Sequence, residues 1–159
     1  MTAGLLDGKQ LSRKIKENLK NLIASDAKAV RKPGLAVVLV GQDPASAIYV
    51  KNKIKACETI GIMSKAFELN ADTSQEELES LVQSLNEDET TDGILVQLPL
   101  PKHIDPDRIL EMIDPKKDVD GFHPYNLGRL AQRRPVLRSC TPAGIMALLD
   151  STKVDIAGF

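Results

Sequence analysis

Three groups of side chains in this sequence have the types and spacing to do chemistry. Ser46, Tyr49 and Lys53 recur three and four residues apart, so on a helix they share one stripe, with Tyr49 one turn before Lys53. Lys51 and Lys55 point elsewhere, because a two-residue step turns about 200° around a helix axis. Lys53 is therefore the lysine that an aromatic neighbour can pack against and partly desolvate, which disfavours the ammonium and suits the amine to proton transfer. The blander reading is a surface lysine stretched beside a half-buried tyrosine. Gln97 stands where an apolar run gives way to Leu98 and Pro99. In open parallel sheets ligands bind outside the carboxyl ends of the strands, so this amide either meets a ligand or caps loop backbone groups. The third group is the acidic turn Lys117-Asp118-Val119-Asp120-Gly121-Phe122. A carboxylate beside glycine can accept hydrogen bonds from an amino-pyrimidine ring, and it can equally close an Asx turn.

The elements that must hold these groups follow from periodicity. Leu11, Ile15, Leu19 and Leu22 form the apolar stripe of a helix over 8–24, with Arg13, Lys14, Lys16 and Lys20 on a solvated face. Pro33-Gly34 ends that pattern, and Leu35-Ala-Val-Val-Leu-Val40 reads as a central parallel strand buried on both faces. A turn over 41–44 leads into a helix over 45–59 that Gly61 closes. A weaker strand follows over 64–69. Ser74 and Glu77 have capping-box spacing before the helical stripe Leu78, Leu81, Val82 and Leu85, and a buried strand spans 93–97. This alternation predicts a three-layer αβα domain with a mainly parallel sheet. Beyond Leu98, six prolines between Pro99 and Pro135 leave room only for short helices such as one over 105–113. Thr141 and Pro142 suit the N-cap and first position of a last helix carrying Ile145, Met146, Leu148 and Leu149.

Composition excludes several classes of function. The 159 residues carry 21 basic and 22 acidic side chains, a net charge of -1, with 42% hydrophobic and 27% charged residues. That balance argues against disorder and against a uniformly basic nucleic-acid binder. No apolar run approaches the roughly 20 residues that span a bilayer, and residues 1–9 lack the pattern of a secretory signal. Cys57 and Cys140 have no CxxC partner and read as two small core-filling thiols in a reducing, cytoplasmic setting. Neither strong strand is followed by GxGxxG or a P-loop, so no dinucleotide or triphosphate motif is present. Asp118-Val-Asp120-Gly121 fails as a calcium loop because Phe122 and Arg129 fall at ligand positions, and His103 and His123 have no zinc-ligand spacing to the cysteines.

Taken together, the segments resemble the bifunctional methylenetetrahydrofolate dehydrogenase/methenyltetrahydrofolate cyclohydrolase (FolD) family. The resemblance rests on Val40-Gly-Gln-Asp-Pro-Ala-Ser-Ala-Ile-Tyr-Val-Lys-Asn-Lys-Ile-Lys-Ala-Cys-Glu58, Gly93-Ile-Leu-Val-Gln-Leu-Pro-Leu-Pro101 and Asp114-Pro-Lys-Lys-Asp-Val-Asp-Gly-Phe-His-Pro124. Asn126-Leu-Gly-Arg-Leu130 and Cys140-Thr-Pro-Ala-Gly-Ile145 extend it. Two features depart from a neutral match. Ser139 stands where the family usually has proline, and 129–138 carries Arg129, Arg133, Arg134 and Arg138 with no acid. The latter leaves nucleic-acid binding as a rival reading, although related members are also basic there.

The resemblance implies roles residue by residue. Lys53 is similar to the family's catalytic lysine, Tyr49 to the tyrosine that stacks on folate and holds that lysine, and Gln97 to the glutamine that hydrogen-bonds the lysine and tunes it. Asp120 resembles the aspartate that grips the pterin, and Val96, Gln97 and Leu98 line the folate. The implied activity is NADP-dependent oxidation of 5,10-methylenetetrahydrofolate to the methenyl form and its hydrolysis to 10-formyltetrahydrofolate, by a bifunctional enzyme that is a homodimer at full length. Implied partners are small-molecule folates, with no nucleic acid and no membrane. Residues 1–140 would be the folate-binding catalytic domain, and 141–159 the start of a linker helix toward an NADP-binding Rossmann domain that this chain lacks. On that reading the 159 residues bind folate with little or no activity of their own; the alternative is a folate-binding module or pseudoenzyme.

Overall fold

The apolar run after Pro33 folds as the middle strand of a parallel sheet in the computed structural model, which describes residues 5–26 and 30–155. The elements are α1 (Gly8–Ser25), β1 (Gly34–Val40), α2 (Pro44–Ile60), β2 (Met63–Leu69), α3 (Gln75–Glu87), β3 (Gly93–Val96), α4 (Pro106–Met112), α5 (Pro124–Ala131) and α6 (Cys140–Asp150). Strand order is β2-β1-β3, and both pairings are parallel, with Leu35 opposite Ser64 on one side and Gly93 on the other.

Successive β1 side chains point to opposite faces, and both faces are covered. Ala36, Val38 and Val40 pack with Leu78, Val82, Leu85 and Ile109 from α3 and α4. Val37 and Leu39 pack with Val50 and Leu95, and with the partly buried Ile54 of α2. The expected three layers follow directly from this double burial. Each fully buried Val or Leu side chain contributes ~1.5–3 kcal/mol of hydrophobic stabilisation, so β1 anchors everything that hangs from its ends.

Helix starts follow the local chemistry of capping. The Asp43 side chain accepts from the Ser46 amide at 2.7 Å, with Pro44 in the first turn, and Gly61 ends α2 in the left-handed region at φ 91°. Ser74 and Glu77 form the predicted reciprocal box at 3.1 and 2.8 Å. After Val96 the Gln97 amide still donates to Val38 O at 2.8 Å. Beyond β3 a single parallel bridge joins Ile94 to Asp118, with Ile94 N donating to Lys117 O at 2.7 Å. The acidic turn therefore runs beside the sheet.

One expectation changes. The last helix starts at Cys140 with Ser139 as its N-cap, without a side-chain capping bond, whereas Thr141 and Pro142 had suggested a later start. Proline at the third helical position is tolerated because the first-turn amides have no intrahelical acceptor to lose. Helix α5 is a second short helix among the prolines; Pro124 opens it and His123 Nδ1 accepts from the Tyr125 amide at 3.0 Å. The stripe of α1 is present as a pattern but not as core, since no α1 residue is buried and Leu22 is 65% exposed. Periodicity shows that one face is apolar, not what covers it. The expected linker residues Ile156 and Gly158 lie outside the described residues.

The contrast between these helices is measurable by urea unfolding. Leu78→Ala, at a fully buried position, is expected to cost ~3 kcal/mol, and Leu22→Ala less than ~0.5 kcal/mol. Equal losses would mean that α1 is packed as tightly as α3.

Candidate functional site

Three loops or helix starts converge at the carboxyl ends of the parallel strands, where sheet topology puts ligand sites. Helix α2 begins there after Gly41, and its third turn carries Lys53 inward to half-burial. The Lys53 Nζ donates to Gln97 Oε1 at 3.3 Å. Gln97 in turn donates from Nε2 to Leu98 O at 2.7 Å. The backbone-capping reading of Gln97 therefore holds at one end of its amide, and the other end faces the lysine.

Asp120 joins the pair from the loop beside β3. Burial pushes its carboxyl above the ordinary carboxylate range, the Lys53 charge pulls it down, and the neighbouring Asp118 charge raises it. Cys140 sits at the first turn of α6 with its Sγ donating to Val119 O at 3.3 Å. Burial and then the Asp120 charge push its thiol up, with Lys53 opposing. Lysine, glutamine, aspartate and thiol thus share one electrostatic neighbourhood. It can hold a ligand through a carboxylate acceptor and present an amine to a reacting atom.

The remaining predicted residues fall differently. Tyr49 is 64% exposed, one turn before Lys53. Among the described residues the cation over an aromatic ring is Lys65 over Phe67 at 4.8 Å, so Tyr49 does not cover Lys53 here. Ser46 is 4% exposed and turned into the core with Val50, off the Tyr49 surface. Val96 is 3% exposed within the layer facing α3, so its side chain faces the core; Leu98 is half-buried at the rim. The expectation of two core-filling cysteines fails for Cys140, which is exposed at the site, while Cys57 is half-buried in α2. Asx geometry belongs to Asp118, whose Oδ1 accepts from Gly121 N at 3.1 Å, and this leaves the Asp120 carboxylate for the cluster. Sequence spacing missed Asp118, Asn126 and Cys140 as parts of this arrangement; their only signal was membership of the longer motif stretches.

The described residues do not fit NADP. The turn after β1 contains one glycine, Gly41, and the N-terminus of α2 is already filled by the Asp43 carboxylate. Hydrogen bonds from Ser46 hold that carboxyl low, and a fixed anion there repels a pyrophosphate that needs the same amides. No described helix is long and apolar enough to cross a membrane.

Comparison with known proteins converges on one family. Residues 6–120 match the tetrahydrofolate dehydrogenase/cyclohydrolase catalytic domain. The bifunctional FolD methylenetetrahydrofolate dehydrogenase/cyclohydrolase from Campylobacter jejuni is 50% identical with a TM-score of 0.93, over 96% of this chain and 54% of its own. The 5,10-methylenetetrahydrofolate dehydrogenase of the silkworm Bombyx mori is 40% identical, TM-score 0.93, over 97% and 53%. The Trypanosoma brucei dehydrogenase-cyclohydrolase, solved with NADP and an inhibitor, is 37% identical, TM-score 0.93, over 99% and 55%. The chain spans about half the length of these proteins. That corrects the expectation of a bifunctional dehydrogenase and cyclohydrolase: with only the catalytic half of such enzymes represented, this chain alone is not the complete bifunctional enzyme. What the convergent lysine, glutamine and aspartate, the parallel sheet beneath them and the match over 6–120 establish is that the chain belongs to the tetrahydrofolate dehydrogenase/cyclohydrolase family, in its catalytic domain.

Proposed function

We propose that residues 1–140 form a reduced-folate-binding domain and that 141–159 open the connection toward a second domain of the full-length protein. The observation that carries the reading is the Lys53–Gln97 bond at 3.3 Å within electrostatic reach of Asp120. An ionised Asp120 accepts hydrogen bonds from the amino-pyrimidine edge of a pterin, and Tyr49 offers an exposed ring for the flat body of the ligand. Both cysteines are free, which suits a reducing, cytoplasmic setting.

In the full-length protein this site serves one-carbon folate chemistry, with hydrolysis of the methenyl bridge centred on Lys53. Water adds to the electron-poor methenyl carbon, and the lysine amine removes one of its protons. The resulting ammonium returns a proton to the ring nitrogen as its bond to carbon breaks, and loss of the hydroxyl proton leaves the formyl group on the other nitrogen. One proton is released overall. Gln97 orients the amine by accepting one of its N–H groups while Leu98 O holds the other end of the amide. The NADP-dependent oxidation belongs to the full-length homodimer, and no part of it is assigned to residues described here.

Full-length protein carrying Lys53→Met is expected to lose methenyltetrahydrofolate hydrolysis by at least ~100-fold, the scale of general acid–base catalysis, with an unchanged melting temperature. Near-ultraviolet absorbance of the methenyl compound follows the reaction, and an unimpaired mutant would sink the assignment. The 159-residue chain should bind 5-formyltetrahydrofolate in calorimetry while barely accelerating that decay; absence of binding would refute the folate reading, and rapid Lys53-dependent decay would refute the claim of low intrinsic activity.

Binding should also depend on pH in a defined direction. Asp120 must be ionised to accept from the pterin, and its carboxyl is raised, so affinity is present above that raised value and falls as pH drops through it. The midpoint is expected above the ordinary carboxylate value of about 3.9. Asp120→Asn should remove this acid limb, and an unaltered limb would show that another group controls binding.

A further inference from the structure

We infer that Asp118 and Asn126 are a positioning pair for the folate site, setting where Asp120 stands and how its charge is received. The inference rests on the folate reading and extends it to two residues that touch no ligand themselves.

Asp118 is 2% exposed and Asn126 1% exposed. Burial of a carboxylate is costly unless its oxygens are satisfied, and those of Asp118 are. Oδ1 accepts from Gly121 N at 3.1 Å, and Oδ2 accepts from His123 N at 2.9 Å and from Asn126 Nδ2 at 2.9 Å. The Gly121 amide belongs to the peptide unit that directly follows Asp120, so Asp118 fixes the plane on which Asp120 is mounted. Asn126 also donates to Pro115 O at 2.8 Å, and one side-chain amide thereby ties both sides of the acidic turn to α5. From the opposite side, Gly121 adopts φ +67°, and a Cβ there would lie 2.5 Å from Ser139 N and 2.6 Å from Arg138 C. The turn is held between the buried pair and the backbone that leads into α6, and it has no room to swing.

The pair also shapes the electrostatics. Hydrogen-bond partners of the Asp118 carboxylate in the structure are neutral amides, so a fixed negative charge stays two residues from Asp120. The groups facing Asp120 are Lys53 from α2, Asp118 from its own loop and Cys140 from α6. Asp118 disfavours the Asp120 anion and Lys53 favours it. Placement and charge are thus set by one buried carboxylate.

The test uses the 159-residue chain and two variants. Carbon-13 carboxyl NMR titrates Asp120 without any folate, and calorimetry with 5-formyltetrahydrofolate at a pH where Asp120 is ionised reads placement. Asp118→Asn is expected to lower the Asp120 midpoint, because a like charge is gone, and to weaken binding about tenfold, because the mounting peptide is loosened. Asn126→Ala keeps the carboxylate and its two backbone bonds; it should weaken binding several-fold without lowering the midpoint. A merely structural pair would lower the melting temperature while leaving both the Asp120 midpoint and the affinity of the folded protein unchanged, and that result overturns the inference. If Asp118→Asn does not fold, unchanged affinity in folded Asn126→Ala overturns it equally. If the wild-type chain binds no reduced folate, the folate reading falls, while the Asp120 midpoint in Asp118→Asn still decides the charge role of Asp118.

Discussion

Double-sided burial of β1 is the constraint on which this structure depends. A strand with Ala36, Val38 and Val40 on one face and Val37 and Leu39 on the other cannot lie at a wet surface, so helices must cover both sides of the sheet. Parallel pairing to β2 and β3 then obliges the chain to cross from one end of the sheet to the other through a helix each time. Every loop leaving a carboxyl end therefore arrives at the same rim. The start of α2 after β1 and Gln97 after β3 meet there because the sheet leaves no other route.

At that rim, polar groups are arranged so that each is fixed by something other than its chemical partner. Gln97 is held by Leu98 O before it meets Lys53. Asp120 is mounted on a turn fixed by Asp118, by Asn126 and by the close passage of Arg138 and Ser139 over Gly121. Such independent support is what keeps a site within the small tolerances that binding and proton transfer require. Tyr49, by contrast, is exposed one turn before Lys53.

The surface divides into regions of different character. The face formed by α2, the acidic turn and the start of α6 carries the polar cluster, whereas α1 and α6 show exposed apolar residues such as Leu22, Ile145 and Met146. The chain matches about half the length of its solved relatives, and its polar cluster is built from α2, the residue that follows β3 and the acidic turn.

Local structure was legible from the residues because its causes are local. The capping box at Ser74, the glycine stop at Gly61 and the apolar run of β1 involve groups within a few residues of one another, and Lys53, Gln97 and Asp120 stood out for their positions relative to those elements. Even so, spacing put Ser46 on the reactive stripe when burial turned it inward, suggested a later start for α6, and treated Cys140 as core. What only the tertiary structure decided were contacts across long separations: Lys53 with Gln97, 44 residues apart, Cys140 with Val119, 21 apart, and the assignment of the Asx turn to Asp118, which freed Asp120. Those depend on strand register and on how far each crossover carries the chain, and no local pattern of residue types encodes such distances.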